Sequence, residues 1–300
     1  MSFDNAYESL VENNDETHWA YGTGFVMPLS DVDHTIPDGI DRPALARYCV
    51  VLGDDALVMS QRLSEWCSWA PELEEDVALA NIALDLLGQA RLLYTRAAEV
   101  DPSVRPASAP VHVPAEDSLA YFRDELDFHN VRLAEIDTGP GPAGDFAMTI
   151  ARLFVFASWR IAIFTRLVDT PDPVLAAIAA KGVKELAYHR DHAAQWTVRL
   201  GDGTEHSAER ITAGLAAIWP LVPELCTPHP TDLVDMAWVR GELDRVLDRV
   251  FAAAHLTRPD VPAMAGVSGR TGRDGVHTTA LGYLLAELQH IARSHPEAVW

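Results

Sequence analysis

Basic charge is scarce in this chain of 300 residues: 23 Lys and Arg stand against 44 Asp and Glu, a formal net charge of −21. Nucleic acid rewards clustered Lys and Arg, and an anionic membrane surface repels an acidic protein, so neither partner is expected. Cysteine is scarcer still. Cys49, Cys67 and Cys226 form no Cys-x-x-Cys pair and no even framework, which implies a reducing compartment and buried thiols. The opening MSFDNAYESLVENNDE has no basic end followed by an apolar run, so no signal peptide is expected. The most apolar run, LFVFASWRIAIF from Leu153, is interrupted by Arg160 and is too short to span a bilayer. A Gly-x-Ser-x-Gly elbow, a Walker loop and a dinucleotide fingerprint are all missing. What these absences leave is a soluble, cytoplasmic protein, and a hydrophobic content of 48% is ample for a large core.

Residues 1–43 hold turn-formers and aromatics (Trp19, Tyr21, Phe25) without a sustained period, and read as an extended arm ahead of a helical domain at 44–300. The pattern predicts helices over 44–70, 72–100, 117–136, 145–169, 173–200, near 207–219, over 232–256, and from about Thr278. Acids open the second, where the helix dipole favours them. Its Val77, Ala80, Leu84 and Leu87 recur at helical spacing and are assigned to a core face. The helix at 145–169 is apolar nearly all round, so it belongs at the centre. Its Phe154, Phe156, Trp159 and Phe164 read as core packing rather than a channel.

Two of these helices carry a related tetrapeptide one hundred residues apart: Asp85-Leu86-Leu87-Gly88 and Glu185-Leu186-Ala187-Tyr188. A di-iron carboxylate bundle needs a Glu-x-x-His on each of two helices and a lone Glu from each of two others. Gly88 and Tyr188 stand where His is required. Asp54 and Asp55 supply one lone-carboxylate position, whereas the other falls near Arg152, a cation that opposes iron. The expectation is a degenerate pseudo-metal site of Asp54, Asp85, Gly88, Arg152, Glu185, Tyr188 and His189, with Arg152 pairing Asp85 or Glu185 in place of iron. The alternative is a free-standing metalloenzyme, because Glu185, His189 and His192 share a helical face and could hold one metal together with Asp85. The loop GVSGRTGRDGVHT offers Gly269, Gly272 and Gly275 with Arg270 and Arg273 before a helix, either as a phosphate cradle or as a connection capped by Thr278 or Thr279.

LGDDALVMSQRLSEWCSWAPELEEDVALANIALDLLGQAR at 52–91 resembles the signature region of the PaaC-type subunit of the bacterial phenylacetyl-coenzyme A epoxidase. DFAMTIARLFVFASWRIAIFTRL, AAKGVKELAYHRDHAAQW and the ending GVHTTALGYLLAELQHIARSHPEAVW resemble the same family, in the same order. The resemblance implies an all-α, ferritin-like bundle with additional C-terminal helices. It implies a structural subunit without catalytic residues, metal or cofactor of its own. Its partners would be a homologous di-iron catalytic subunit, a small bridging subunit, and a reductase carrying FAD and an iron–sulfur cluster. The assembly would use NADPH and O2 to epoxidise the ring of phenylacetyl-coenzyme A in aerobic phenylacetate breakdown.

Overall fold

In a computed structural model of the protein, residues 29, 31–141 and 144–298 are described. The chain divides by contact into residues 1–32 and 33–300. Most of the arm assigned to 1–43 therefore lies outside the described residues. Its last stretch, 33–41, belongs to the larger unit, where the Arg96 guanidinium donates to the His34 carbonyl at 3.0 Å.

The larger unit holds nine α-helices among the described residues: α1 (Arg42–Ser64), α2 (Leu73–Val100), α3 (Ala115–Tyr121), α4 (Arg132–Glu135), α5 (Phe146–Leu167), α6 (Pro173–Gly201), α7 (Glu205–Ile218), α8 (Met236–Ala253) and α9 (Thr279–Ser294). Acids set several of the starts. Asp41, Asp145, Asp172 and Asp235 each accept a hydrogen bond from a first-turn backbone amide of α1, α5, α6 and α8. The architecture is a ferritin-like bundle. α1 packs along α2, α5 packs along α6, and the two hairpins join where α2 meets α6, while α7 and α8 cover α5. Both hairpins contain a glycine under an aromatic ring: a Cβ on Gly53 would fall 2.5 Å from Tyr94, and one on Gly182 would fall 2.6 Å from Phe164. Only glycine permits that approach.

α5 is the core helix, and Phe154, Phe156, Trp159 and Phe164 are fully buried as assigned. Both α2 and α5 are long and apolar enough to cross a bilayer by length and composition, contrary to the expectation from the interrupted run at Leu153. Burial of 83% of the most apolar window of α5 within the bundle accounts for its hydropathy.

Three other expectations are corrected. First, α1 stops at Ser64 rather than Ala70; the chain turns, Ser68 takes a left-handed φ of 69°, and Trp66 Nε1 donates to Thr149 Oγ1. Second, the helix drawn over 117–136 is broken into α3, a 3-10 turn at Glu125–Asp127 and α4. The cause is electrostatic: the amides of His129 and Val131 turn away from helical bonding to satisfy the buried carboxylates of Asp54 and Asp55, at 2.8 Å each. Third, Cys67 is exposed, whereas Cys49 and Cys226 are buried and burial pushes both thiols up, Cys226 to about 11.

A further correction concerns α2. The face assigned to the core is the outer one: Val77, Leu84 and Leu87 are exposed, Leu84 by 62%, and Ala80 is half-buried. The buried residues include Leu79, Ile82, Ala83, Leu86, Gln89, Ala90 and Leu93. An α2 apolar on two faces fits both stripes, and only its packing against α1 and α6 selects the inner one.

Candidate pseudo-metal centre at the α2–α6 contact

The inward residues of α2 include Leu86 and Gln89, and those of α6 include Leu186 and His189. Each pair has i, i+3 spacing, the frame in which a di-iron bundle places Glu-x-x-His. The frame read from the sequence is displaced by one residue. Tyr188 is 53% exposed, its ring stacked near His192, and open space surrounds the Cα of Gly88 on the outer side of α2. Neither faces the interior.

Asp85 and Glu185 each sit one residue before this inner frame, and each reaches across to the opposite helix. His189 Nε2 lies 3.0 Å from Asp85 Oδ2, and Gln89 Nε2 donates to Glu185 Oε2 at 2.9 Å. The two contacts are reciprocal. A metal-bound imidazole ordinarily gives its other nitrogen to such a carboxylate. If the inner frame were that of a di-iron bundle, Leu86 and Leu186 would stand at its carboxylate positions. His189 Nδ1, the nitrogen turned away from Asp85, is buried with no hydrogen-bond partner among the described residues.

The buried cation beside this centre is Arg160, not Arg152. Arg160 is fully buried on α5, its Nε donates to Gln89 Oε1 at 3.1 Å, and its guanidinium lies 4.5 Å from the Phe164 ring centre. Burial pulls its pKa down to about 10, against the opposing charges of Asp55 and Glu185. Arg152 touches neither Asp85 nor Glu185. It donates to the Ile136 carbonyl at 2.5 Å, and Nε and Nη2 are left without partners among the described residues. Burial and nearby Arg62 lower its pKa to about 9. Glu185 pairs instead with Lys181, one turn earlier on its own helix.

Asp54 lies in a separate cluster. Arg123 pairs with its Oδ1 at 2.5 Å, Tyr94 donates to the same oxygen at 2.6 Å, and the His129 amide donates to Oδ2. Neighbouring Asp55 is gripped through both oxygens by Arg273 at 2.9 Å. That occupies Arg273, so the loop before α9 is a clamp and not a free phosphate cradle. His277 extends the clamp, with Nδ1 2.7 Å from Glu135 and Nε2 2.8 Å from the Phe128 carbonyl. Thr278 holds the N-cap position of α9, but its hydroxyl makes no cap bond; its amide donates to Glu135.

These residues do not fit a metal. The inner carboxylate positions are leucines, Arg160 places a cation beside them, and Glu185 is engaged by Lys181 and Gln89. His192 faces Glu75 at 3.2 Å rather than joining His189, and burial lowers its pKa. Among the described residues no group of three or more His, Cys, Asp or Glu side chains is placed to hold one. Sequence reasoning missed Gln89, and it noted Arg160 and Arg273 without finding their partners Gln89 and Asp55. A polar Gln and a cation inside otherwise apolar helical stripes were the available signals for the first two; Arg273 had none, because its partner is over two hundred residues away.

Residues 32–300 match the family model described as phenylacetic acid catabolic protein. The chain is also similar to the C subunit of the 1,2-phenylacetyl-CoA epoxidase of Escherichia coli (strain K12). The two are 40% identical over 265 residues, covering 85% of this chain and 99% of that protein.

Proposed function

Because the chain belongs to the phenylacetic acid catabolic protein family, we propose that it is the structural, non-catalytic subunit of a cytoplasmic multicomponent phenylacetyl-CoA epoxidase, supporting a homologous di-iron subunit in phenylacetate breakdown. The observation that carries this reading is the outer stripe of α2. Leu73 (74% exposed), Val77, Leu84 and Leu87 fall on one side of the helix, with Trp69 exposed just before it. A contiguous apolar surface of this kind marks a place where another protein sits. The partner would bury it next to the α2–α6 contact, placing a metal-free bundle against a metal-bearing one.

The reading assigns this chain no metal, flavin or iron–sulfur cluster. The di-iron centre would belong to the catalytic partner, FAD and the iron–sulfur cluster to an NADPH-fed reductase, and a small further subunit would bridge them. Catalytic residues held within about 0.5 Å need support from surrounding structure, and a silent subunit can supply it.

The competing reading is a metalloenzyme using Asp85, Glu185, His189 and His192. The leucines of the inner frame disfavour it. Iron, zinc and manganese content of the chain alone, and then with its catalytic partner, separates the two. The scaffold reading expects no stoichiometric metal alone and about two irons per heterodimer. Near-stoichiometric metal in the isolated chain would overturn it.

A further inference from the structure

The fully buried side chains of His277 and Glu135 join the segment that carries α9 to the body of the bundle. His277 Nδ1 lies 2.7 Å from Glu135 Oε2, and Nε2 lies 2.8 Å from the Phe128 carbonyl. A carbonyl only accepts, so Nε2 must carry a proton. The Nδ1–carboxylate contact then needs a second proton, shared between two atoms that otherwise both accept. The pair therefore holds one proton more than a carboxylate beside a neutral imidazole, whichever atom carries it. Without that proton, either tautomer of the ring serves only one of the two contacts, and the other becomes acceptor against acceptor.

The other charges around this contact are already engaged. Arg62 of α1 donates to the Glu135 carbonyl, not to its carboxylate, and pairs with Glu65. Arg123 pairs with Asp54, Arg132 with Glu224, Arg273 with Asp55, and Asp274 faces His229. The remaining donors to the Glu135 carboxylate are neutral, the Asn130 side chain and the Thr278 amide. His129 is the other imidazole nearby, and burial lowers its pKa, so it is neutral above about pH 6.5.

Apart from this contact, α9 is lightly held. Four of its 16 residues are buried, Leu281, Leu284, Leu285 and Gln289, against 17 of 22 in α5. Its other ties include hydrogen bonds to carbonyls: Arg62 to Ala280, Gln289 to Ala120 and Arg123, and Arg293 to Tyr121 and Arg123. An element with so few buried apolar groups opens at a lower free energy than the core.

We propose that the His277–Glu135 contact is a proton latch, and that residues 276–294 open as a local unit, ahead of the bundle, when its shared proton is lost. Opening bares Leu281, Leu284 and Leu285 together with the surface they cover. In the open form His277 is an ordinary imidazole with a pKa near 6.5, and it binds the proton less tightly than the docked pair does. Docking is therefore strongest below about pH 6.5 and weakens as pH rises. The inference does not depend on the scaffold reading, because the latch involves neither α2 nor a partner.

The test is hydrogen exchange of the full chain, read by mass spectrometry at about pH 6 and about pH 8.5, with each rate divided by the intrinsic rate at that pH. Opening of α9 is expected to rise at least about threefold between the two, while peptides from α5 stay within about 1.5-fold. Glu135→Gln supplies an N–H to the neutral ring and should hold α9 docked equally at both pH values. His277→Gln removes the titrating group and should also abolish the pH response, so either variant alone decides the point. His290→Gln, an exposed histidine on α9, is the control and should respond as the parent does. Equal α9 opening at both pH values in the parent, α9 and α5 opening together, or a parent-like response in Glu135→Gln or His277→Gln would overturn the proposal.

Discussion

His189 and Asp85 face each other across α2 and α6 at 3.0 Å, and Gln89 and Glu185 repeat the contact in the opposite sense at 2.9 Å. The acid, the leucine after it and the polar residue four positions after the acid recur on both helices. Gln89 therefore shows what position 189 tolerates. His189→Gln keeps a donor for Asp85, which is itself 40% exposed, and should lose no more than about 1 kcal/mol. Urea denaturation of the two proteins measures this; a loss several times larger would mean that the imidazole is irreplaceable and the symmetry incidental.

Two buried arginines make a sharper contrast. Arg273 is the bidentate partner of the fully buried Asp55, and removing it strands a carboxylate in the core. Arg273→Met should destabilise by about 3–5 kcal/mol. Arg152 has one bond to a carbonyl and two nitrogens without partners among the described residues. Replacing such a group by an apolar chain of similar volume is often neutral or stabilising, so Arg152→Met should fall within about 1 kcal/mol of the parent or above it. Equal losses in the two variants would contradict the assignment of Arg273 as the critical cation.

The helical fold was readable because the main helices carry apolar stripes, aspartate caps and proline-marked ends. The recurrence at Asp85 and Glu185 was readable as well. The one-residue frame of the centre was not. Leu84 and Leu87 satisfy the helical period as well as Leu86 and Ala90 do, and only the position of α6 separates the two stripes. Nor could local pattern find the breaks in 117–136. They are made by carboxylates on α1 drawing in backbone amides about seventy-five residues later in the chain. Long-range charge pairing leaves no periodic trace.

The His277 clamp should be visible in the pH dependence of stability. Burial works to lower its pKa, but the hydrogen bond and charge of Glu135, with the Phe128 carbonyl, outweigh it and leave the value raised. Both contacts are acceptors, so the imidazolium satisfies both. A raised folded-state value contributes stability that is full below the unfolded pKa of about 6.5 and is lost as pH rises through the folded value. The stability difference between the parent and His277→Gln should therefore be greatest below about pH 6.5 and shrink on the alkaline side. His192, whose value is lowered mainly by burial, should give the opposite slope: its contribution is present above about pH 6.5 and is lost as pH falls through the folded value. Urea midpoints at several pH values for the parent, His277→Gln and His192→Gln test the two signs; parallel curves would contradict both.

The outer stripe of α2 offers the most direct route to the partner. Leu84 and Val77 are mostly exposed, so replacing either with Asp removes little packing from the isolated bundle. Surface changes of this type usually fall within about 0.5 kcal/mol, and the helix should stay folded. An interface core behaves differently, because a charge buried against an apolar partner loses its water without a compensating bond. The double variant Val77→Asp, Leu84→Asp should keep the parent's urea midpoint to within that margin. It should nonetheless weaken association with the proposed catalytic partner by at least about 2 kcal/mol, roughly thirtyfold. Co-purification followed by sedimentation reads the association, and Leu233→Asp, an exposed leucine outside α2, is the control. If the double variant and the control bind equally well, the partner sits on another face, and the stripe would require a different explanation.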